Sequence, residues 1–551
     1  MLQVIQKAYR NLIRVKDFIM QSNTRKDYAE PDTGFFSRHF VLLLVILIVL
    51  FAIGAGIRIY RLDSEPLARR EYWSAIWARS FYYSTLDSAT EWEREIAASQ
   101  GAGVKVPLMT IEGIAYLVYH LAGGEYPWLL RVFSSLSWLA GGVLLYLLAK
   151  RVTSKDAAVL STAFYLLVPF GVEISRRFQA DSLMVAAMLC SIYVTVLYND
   201  QPTTRRALVA GLIAALAILI RPLGLFMIFG AFVLLTIARQ GIRESISDRH
   251  SWLFAILALF PTALLYTYDY FYQNAQAVDV FKNVYFQPHL LLDSVFYTGW
   301  WRQISKTIGI ASLVAALLGI FLFRSRAPRA LVVGLWCGYA MLGLLFVWPF
   351  STHDYFHLQL VPLVALCLGP VGALILAHVR EARPRWLSQL FQAMALGVLI
   401  FLLALGTSRS LNRVIVTDSV AKYYENQVRI AQDIGEELGH SSNTVFLAFD
   451  YGNRLKYYGW IDGASWPIAG DLRAERLFTG KPNPGAEERF HADYASRSPE
   501  YFIVIYMEGY KKQKDLREFL TQTFPMVAQT EDYLIFDLRK TIDSERTGAN
   551  P

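Results

Sequence analysis

Asp181 ends the segment Ser175-Arg176-Arg177-Phe178-Gln179-Ala180-Asp181, which lies between two apolar runs. Ionisable groups at such a depth are costly and mark substrate or ion pathways by default. A second charged cluster, Arg69-Arg70-Glu71, follows the first apolar run, with Arg61 and Asp63 just ahead of it. A carboxylate within hydrogen-bond reach of an acceptor hydroxyl can take its proton. Arginine forks onto phosphate and can stabilise it as a leaving group. Together the clusters suggest catalysis at a membrane surface on a phosphate-bearing lipid. Each also has a plainer reading. The first loop could be a mutually neutralising charged surface. Arg176 and Arg177 could snorkel to headgroups, and Asp181 could serve as an N-terminal helix charge.

Two further constellations lie later in the chain. Arg221-Pro222 interrupts the apolar stretch from Leu208 to Ile237. Proline breaks the helix there, and an arginine in lipid needs a partner. The break is either a tight turn between two spans or part of an anionic headgroup site. His353-Asp354-Tyr355-Phe356-His357 adjoins another apolar run. Two histidines four apart can share a helix face and bind a metal. With no third ligand nearby in sequence, hydrogen bonding of His353, Tyr355 and His357 to a sugar or phosphate is the stronger expectation. Cys190, Cys337 and Cys367 all fall inside apolar runs, as small packing residues do, and no disulfide framework or zinc site is visible.

These groups need a scaffold, and the composition supplies one. Of 551 residues, 54% are hydrophobic. Apolar runs of membrane-crossing length recur from Val41 to Leu405. Backbone polar groups in lipid must be satisfied within each segment, so the runs predict helices. About eleven spans are expected, near 40–60, 130–149, 157–174, 182–198, 207–220, 223–238, 252–271, 307–323, 330–349, 357–378 and 389–407. Basic residues fill alternate short connections, for example Lys150 to Lys155 and Arg239 to Arg249. The positive-inside rule then puts the N-terminus in the cytoplasm and the C-terminus outside. The same bias accounts for the formal charge of +8 without nucleic-acid binding. Val106–Leu121 is short and contains Glu112, which predicts an interfacial or re-entrant helix. The expected domains are a cytoplasmic segment 1–39, a transmembrane domain 40–407 with a large outer loop 61–128, an extracytoplasmic α/β domain 408–540, and a frayed tail 541–551. Within the α/β domain, Val420–Leu438 and Lys514–Phe524 read as helices. Thr444–Phe449, Tyr501–Tyr506 and Tyr533–Leu538 read as strands.

No Gly-x-x-x-x-Gly-Lys-Ser/Thr loop and no Ser-x-x-Lys or Gly-x-Ser-x-Gly nucleophile is present. The inner loops are too short for a nucleotide-sugar domain, so any sugar donor must be lipid-linked and reached from outside. Several stretches, in order, resemble membrane glycosyltransferases of the GT-C type. More specifically they resemble bacterial members of glycosyltransferase family 39, the protein mannosyltransferase and aminoarabinose transferase relatives. They are Arg61-Leu-Asp63 through Arg70-Glu71 to Arg79, Glu125-Tyr-Pro-Trp128-Leu-Leu-Arg131, Ser175 to Met184, Ile220-Arg221-Pro222, and His353 to Pro362.

The resemblance implies a bacterial plasma-membrane enzyme. It would move a sugar, usually with inversion, from a polyprenyl-phosphate donor to an extracytoplasmic lipid, glycan or protein. The family's first loop commonly carries Asp-Glu with the Asp as base, whereas Arg70-Glu71 stands here. Glu71 and Asp181 are therefore the expected catalytic carboxylates, with Asp63 as an alternative. Arg61, Arg70, Arg177 and Arg221 are the expected phosphate ligands. Glu71 and Asp181 are expected to converge on one cavity. No cofactor is called for, and a divalent metal is left open. A flippase of lipid-linked sugar and a non-catalytic cell-envelope assembly partner are the competing functions.

Overall fold

The structure is a computed structural model. It describes residues 34–63, 67, 70–102, 109–272, 276–381 and 418–542, with scattered positions between 386 and 412. Residues 1–33, Arg69, most of the expected span 389–407, and 543–551 lie outside the described residues. The chain divides into two compact units. The helical unit is Met1–Leu62, Val106–Leu108 and Arg131–Ile415. The sheet unit is Asp63–Lys105, Met109–Leu130 and Val416–Pro551.

The helical unit is a polytopic bundle. Among the described residues seven helices are long and apolar enough to cross a membrane, or nine when each of two bent pairs counts as one span. Lys155–Leu167 and Pro169–Ser175 meet at 59°, and Ser294–Thr307 and Ile310–Leu322 meet at 90°. Pro169 cannot donate to the preceding turn, and Gly309 at φ +77° takes a backbone conformation that a side chain would resist. Thr204–Ile220 is a 17-residue helix, about 25 Å long at 1.5 Å per residue. Helix Leu225–Gln240 lies backbone to backbone against helix Arg326–Leu345. A Cβ on Gly230 would sit 2.1 Å from the Gly334 carbonyl oxygen, and one on Gly338 2.2 Å from that of Phe226. Small residues four apart permit this approach where lipid supplies no hydrophobic drive between helices.

The sheet unit is built around five strands: β1 Thr444–Leu447, β2 Gly463–Ser465, β3 Tyr501–Val504, β4 Met526–Gln529 and β5 Leu534–Asp537. Their order is β2-β1-β3-β5-β4. The β1 strand pairs in parallel with β2 and β3, and β5 pairs antiparallel with β3 and β4. Alternate side chains point to opposite faces. Val445, Leu447, Phe502, Val504, Leu534 and Phe536 enter one core with Trp466 and Leu520. Phe446, Ile503 and Ile535 enter the other, with Ile430, Ile434 and Leu455.

Most of the loop 61–128, grouped with the membrane domain on sequence grounds, shares this unit with the tail. Its helices are Glu71–Tyr83, Glu91–Gln100 and Thr110–Ala122. The last covers most of the segment expected to be interfacial. At 13 residues, about 20 Å, it is too short to span. The Ser74 hydroxyl donates to Glu112 at 2.6 Å, tying the first of these helices to the third. Gln100 donates to the carbonyls of Lys456 and Ile461, and Ser99 donates to Asp462 at 2.6 Å, tying the second to the tail.

Candidate active site

In the helical unit the broken backbone positions the charges. Asp181 opens helix Asp181–Asp200 and is 1% exposed. A carboxylate there is favoured by the helix dipole. Arg221 ends helix Thr204–Ile220 in an extended conformation, because Pro222 starts a short 3-10 turn and forbids continuation. The turn swings the guanidinium back onto Asp181, and its Nη1 pairs with Oδ1. The two residues are thus brought together from 40 positions apart. The Gln359 amide donates to the Leu223 carbonyl at 2.9 Å, which fixes the turn from the other side. Arg177, half-buried, lies in the turn just before Asp181.

Other basic residues turn out to serve the scaffold. Arg176 is not a headgroup anchor. It is buried and donates to the carbonyls of Ile57, Arg58 and Tyr60 at 2.7, 2.9 and 2.8 Å, capping the end of helix Phe40–Ile59. Arg58 donates to the carbonyls of Gly54 and Leu166 and to the Ser175 hydroxyl. Helix ends leave carbonyls unpaired, and guanidinium groups satisfy them where water is excluded. Arg61 is exposed, adopts φ +51°, and lies 5.8 Å from the Tyr60 ring centroid.

His357 requires a correction. It and His353 do not share an α-helical face: His353 precedes a 3-10 turn, Asp354–His357. His357 is fully buried, and both ring nitrogens are engaged. Nδ1 meets the Tyr339 hydroxyl at 2.6 Å and Nε2 the Phe350 carbonyl at 2.8 Å. A carbonyl can only accept, so Nε2 carries the proton and Nδ1 accepts from tyrosine. No ring nitrogen remains for a phosphate or a metal. His353 is exposed and bonds Thr352, and Tyr355 packs edge-on against its ring at 5.3 Å. Among the described residues no three His, Cys, Asp or Glu side chains gather as metal ligands would.

In the sheet unit Glu71 opens helix Glu71–Tyr83, follows the half-buried Arg70, and is itself fully buried. Glu71 and Asp181 belong to different units. Two turns along the same helix, Arg79 forms a cluster that sequence reasoning missed. Its Nε contacts Glu125 at 3.1 Å, and Nη1 donates to the Tyr457 carbonyl. Its guanidinium carbon lies 3.9 Å from the Tyr457 ring centroid and 4.0 Å from that of Trp460. The Tyr457 hydroxyl donates to the other oxygen of Glu125. Burial opposes the charge on Arg79, but Glu125 and Tyr457 outweigh it and hold the guanidinium above its usual value. Burial, then the charge on Glu125, pushes the Tyr457 hydroxyl well above its usual range. Tyr72 is pushed up by burial and by Tyr458. The signal available in sequence was an arginine amid aromatic residues in a helix, but its partners lie 46 and 378 positions away.

A family model described as dolichyl-phosphate-mannose-protein mannosyltransferase matches residues 107–266. That stretch contains Asp181 and Arg221 and excludes Glu71. Among solved structures, ArnT from Cupriavidus metallidurans bound to undecaprenyl phosphate aligns at a TM-score of 0.55 with 14% identity. The match covers 89% of this chain and 98% of that one. The apo form of ArnT from the same organism aligns at 0.54 with 15% identity, over 91% and 98% of the two chains. The oligosaccharyltransferase AglB from Archaeoglobus fulgidus, in complex with an inhibitory peptide and a dolichol-phosphate, aligns at 0.56 with 12% identity, over 90% and 73%. The fold is therefore that of the GT-C membrane glycosyltransferases: a polytopic helical bundle with a small C-terminal sheet domain. No curated protein sequence matches the chain.

Proposed function

We propose that this protein is a membrane glycosyltransferase. It moves a sugar from a polyprenyl-phosphate donor to an extracytoplasmic lipid, glycan or protein acceptor, with inversion at the sugar carbon. The observation that carries the reading is the pairing of buried Asp181 with half-buried Arg221 at a proline-broken helix, inside the segment matched by the mannosyltransferase family model. The two neighbours solved with polyprenyl phosphates, ArnT and AglB, support a lipid-linked donor.

The chemistry follows from the side chains. Asp181 and Glu71 are the two candidate bases for the acceptor proton. Only one nitrogen of Arg221 is engaged by Asp181, and a guanidinium has five N–H donors, so the rest of the fork can meet the departing phosphate. Charge grows on that phosphate as the glycosidic bond breaks, and a cation fixed beforehand stabilises it without reorganisation. Arg70 and Arg177 are the further phosphate candidates, and the polyprenyl tail contributes binding energy that orients the reacting carbon. The protein would reside in a bacterial plasma membrane with its N-terminus cytoplasmic and the sheet unit outside. The test is to supply purified protein with a panel of polyprenyl-phosphate sugars and envelope acceptors, and to analyse products by mass spectrometry. A new glycosidic bond with release of polyprenyl phosphate is expected. No product from any donor would overturn the reading.

A further inference from the structure

Asp269 is a buried acid outside the family-matched segment and outside every motif described above. It lies near the end of helix Arg249–Tyr272, few of whose residues are buried. Its neighbours Tyr268 and Tyr270 are 52% and 50% exposed, whereas Asp269 is 2% exposed. At 100° per residue Asp269 falls within about 20° of the buried Ala258, three turns back, so it continues the inward face. Its Oδ2 atom has no hydrogen-bond partner among the described residues.

Two scaffold acids in this chain look different. Asp156 accepts from the backbone N–H groups of Phe35 and Phe36, one on each oxygen. Both oxygens of Asp537 are held by Arg539. Buried polar atoms are nearly always paired, and an orphan calls for an explanation.

Its surroundings supply one. Helix Arg249–Tyr272 packs on helix Thr204–Ile220, the helix that ends at Arg221. Tyr266 lies in the electrostatic field of both Asp269 and Arg221. Asp181, Arg221 and Asp269 therefore share one end of the bundle. Gln359, whose amide nitrogen holds the Arg221-Pro222 turn, also has a buried carbonyl oxygen without a partner among the described residues. Two orphaned acceptors lie at the same end of the bundle as a cation. That is the complement of a ligand with an anionic phosphate and hydrogen-bond donors beside it.

We propose that Asp269 is a specificity-determining residue that accepts a hydrogen bond from a hydroxyl or amino group on the transferred sugar. The inference rests on the glycosyltransferase reading above. A carboxyl repels phosphate, so Asp269 reads the sugar and not the lipid phosphate. A site built to hydrogen-bond a ligand donor rejects the analogue lacking it, because the buried acceptor is then left unpaired.

Direct binding to the full-length protein tests this. The probes are sugar-free polyprenyl phosphate and a panel of its hexosyl and aminopentosyl forms, with the wild type, Asp269→Asn and Asp269→Leu compared. The wild type should bind at least one sugar-bearing lipid more tightly than the sugar-free lipid. Asp269→Leu should erase at least about tenfold of that preference and Asp269→Asn less, while sugar-free binding changes by under about twofold. Thermal stability should hold or rise in both variants, because removing an orphaned acceptor relieves the empty protein, whereas removing a structural group lowers it. An unchanged preference, an equal loss for the sugar-free lipid, or a clear drop in melting temperature would overturn the inference. Failure of the wild type to form any glycosidic bond would instead sink the enzymatic reading, while the binding comparison would still judge Asp269.

Discussion

The two units each hold an ion pair at a helix, and the pairs are finished to different degrees. Around Arg79 the network is closed: Glu125 on one edge, the Tyr457 carbonyl on another, and rings on its faces. Around Arg221 it is open. Asp181 takes one nitrogen, the arginine side chain is 26% exposed, and orphaned acceptors on Asp269 and Gln359 lie at the same end of the bundle. A closed network uses its polar groups to hold elements together. An open one holds them ready for something else. Buried polar residues are conformationally costly in either case, and only the second kind exchanges stability for function.

The largest expected effect comes from breaking the open network. Asp181→Asn should lower sugar transfer by roughly 100- to 10,000-fold, the range for losing a positioned acid–base group. Glu71→Gln should act similarly. Both proteins should still fold and insert. Transfer rates on purified variants check this, and full activity in both would remove these residues from the site.

Next comes the closed network. Arg79→Ala leaves Glu125 without its cation in a largely buried setting, held only by the Tyr457 hydroxyl among its described partners. Breaking a buried pair by removing one partner costs about 3–5 kcal/mol, so unfolding of the sheet unit should shift to markedly lower denaturant concentration. A variant as stable as the wild type would show that the cluster is not what joins loop to tail. Smaller again, His357→Leu takes away the acceptor of the Tyr339 hydroxyl proton and leaves the Phe350 carbonyl unpaired, while Trp300 still donates to Tyr339. It should destabilise by about 1–3 kcal/mol while transfer per folded molecule is retained. A selective loss of transfer would return His357 to the active site.

The mildest perturbation is alkaline pH. Burial raises the hydroxyls of Tyr72 and Tyr457 above their ordinary value of 10.0 and pushes Tyr494 up to about 12. A raised folded-state value means that the folded protein keeps protons which the unfolded chain releases. This stabilisation is complete below pH 10 and fades as pH rises through the folded values. Melting of the sheet unit should therefore be steady up to about pH 10 and fall between about 10 and 12. A melting curve flat across that window would contradict the burial of these hydroxyls.

How much of this was visible in the sequence depends on the range of the contacts involved. The bundle was legible because a membrane crossing is a local property: the expected runs 40–60, 130–149 and 182–198 coincide with Phe40–Ile59, Pro127–Val152 and Asp181–Asp200. Three strands stood out as apolar runs. The strands Gly463–Ser465 and Met526–Gln529 did not, being short and only weakly buried. Asp181 and Arg221 announced themselves as charges beside apolar runs, and Pro222 marked the break that lets them meet. Arg176 and His357 carried the same kind of signal, yet their chemistry is consumed by carbonyls and a tyrosine that no local pattern reveals. The union of loop and tail rests on an arginine meeting residues 46 and 378 positions away. Asp269 gave no separate signal, because it lies inside the expected span 252–271 and its burial depends on packing against other helices.

The central claim is that the open cluster serves bond formation and not passage of a lipid. Vesicles containing the purified protein, labelled polyprenyl-phosphate sugar and an envelope acceptor measure both at once. A new glycosidic bond on the acceptor, matched by released polyprenyl phosphate and lost in Asp181→Asn, is the predicted result. Translocation of intact labelled lipid with no new bond would contradict it.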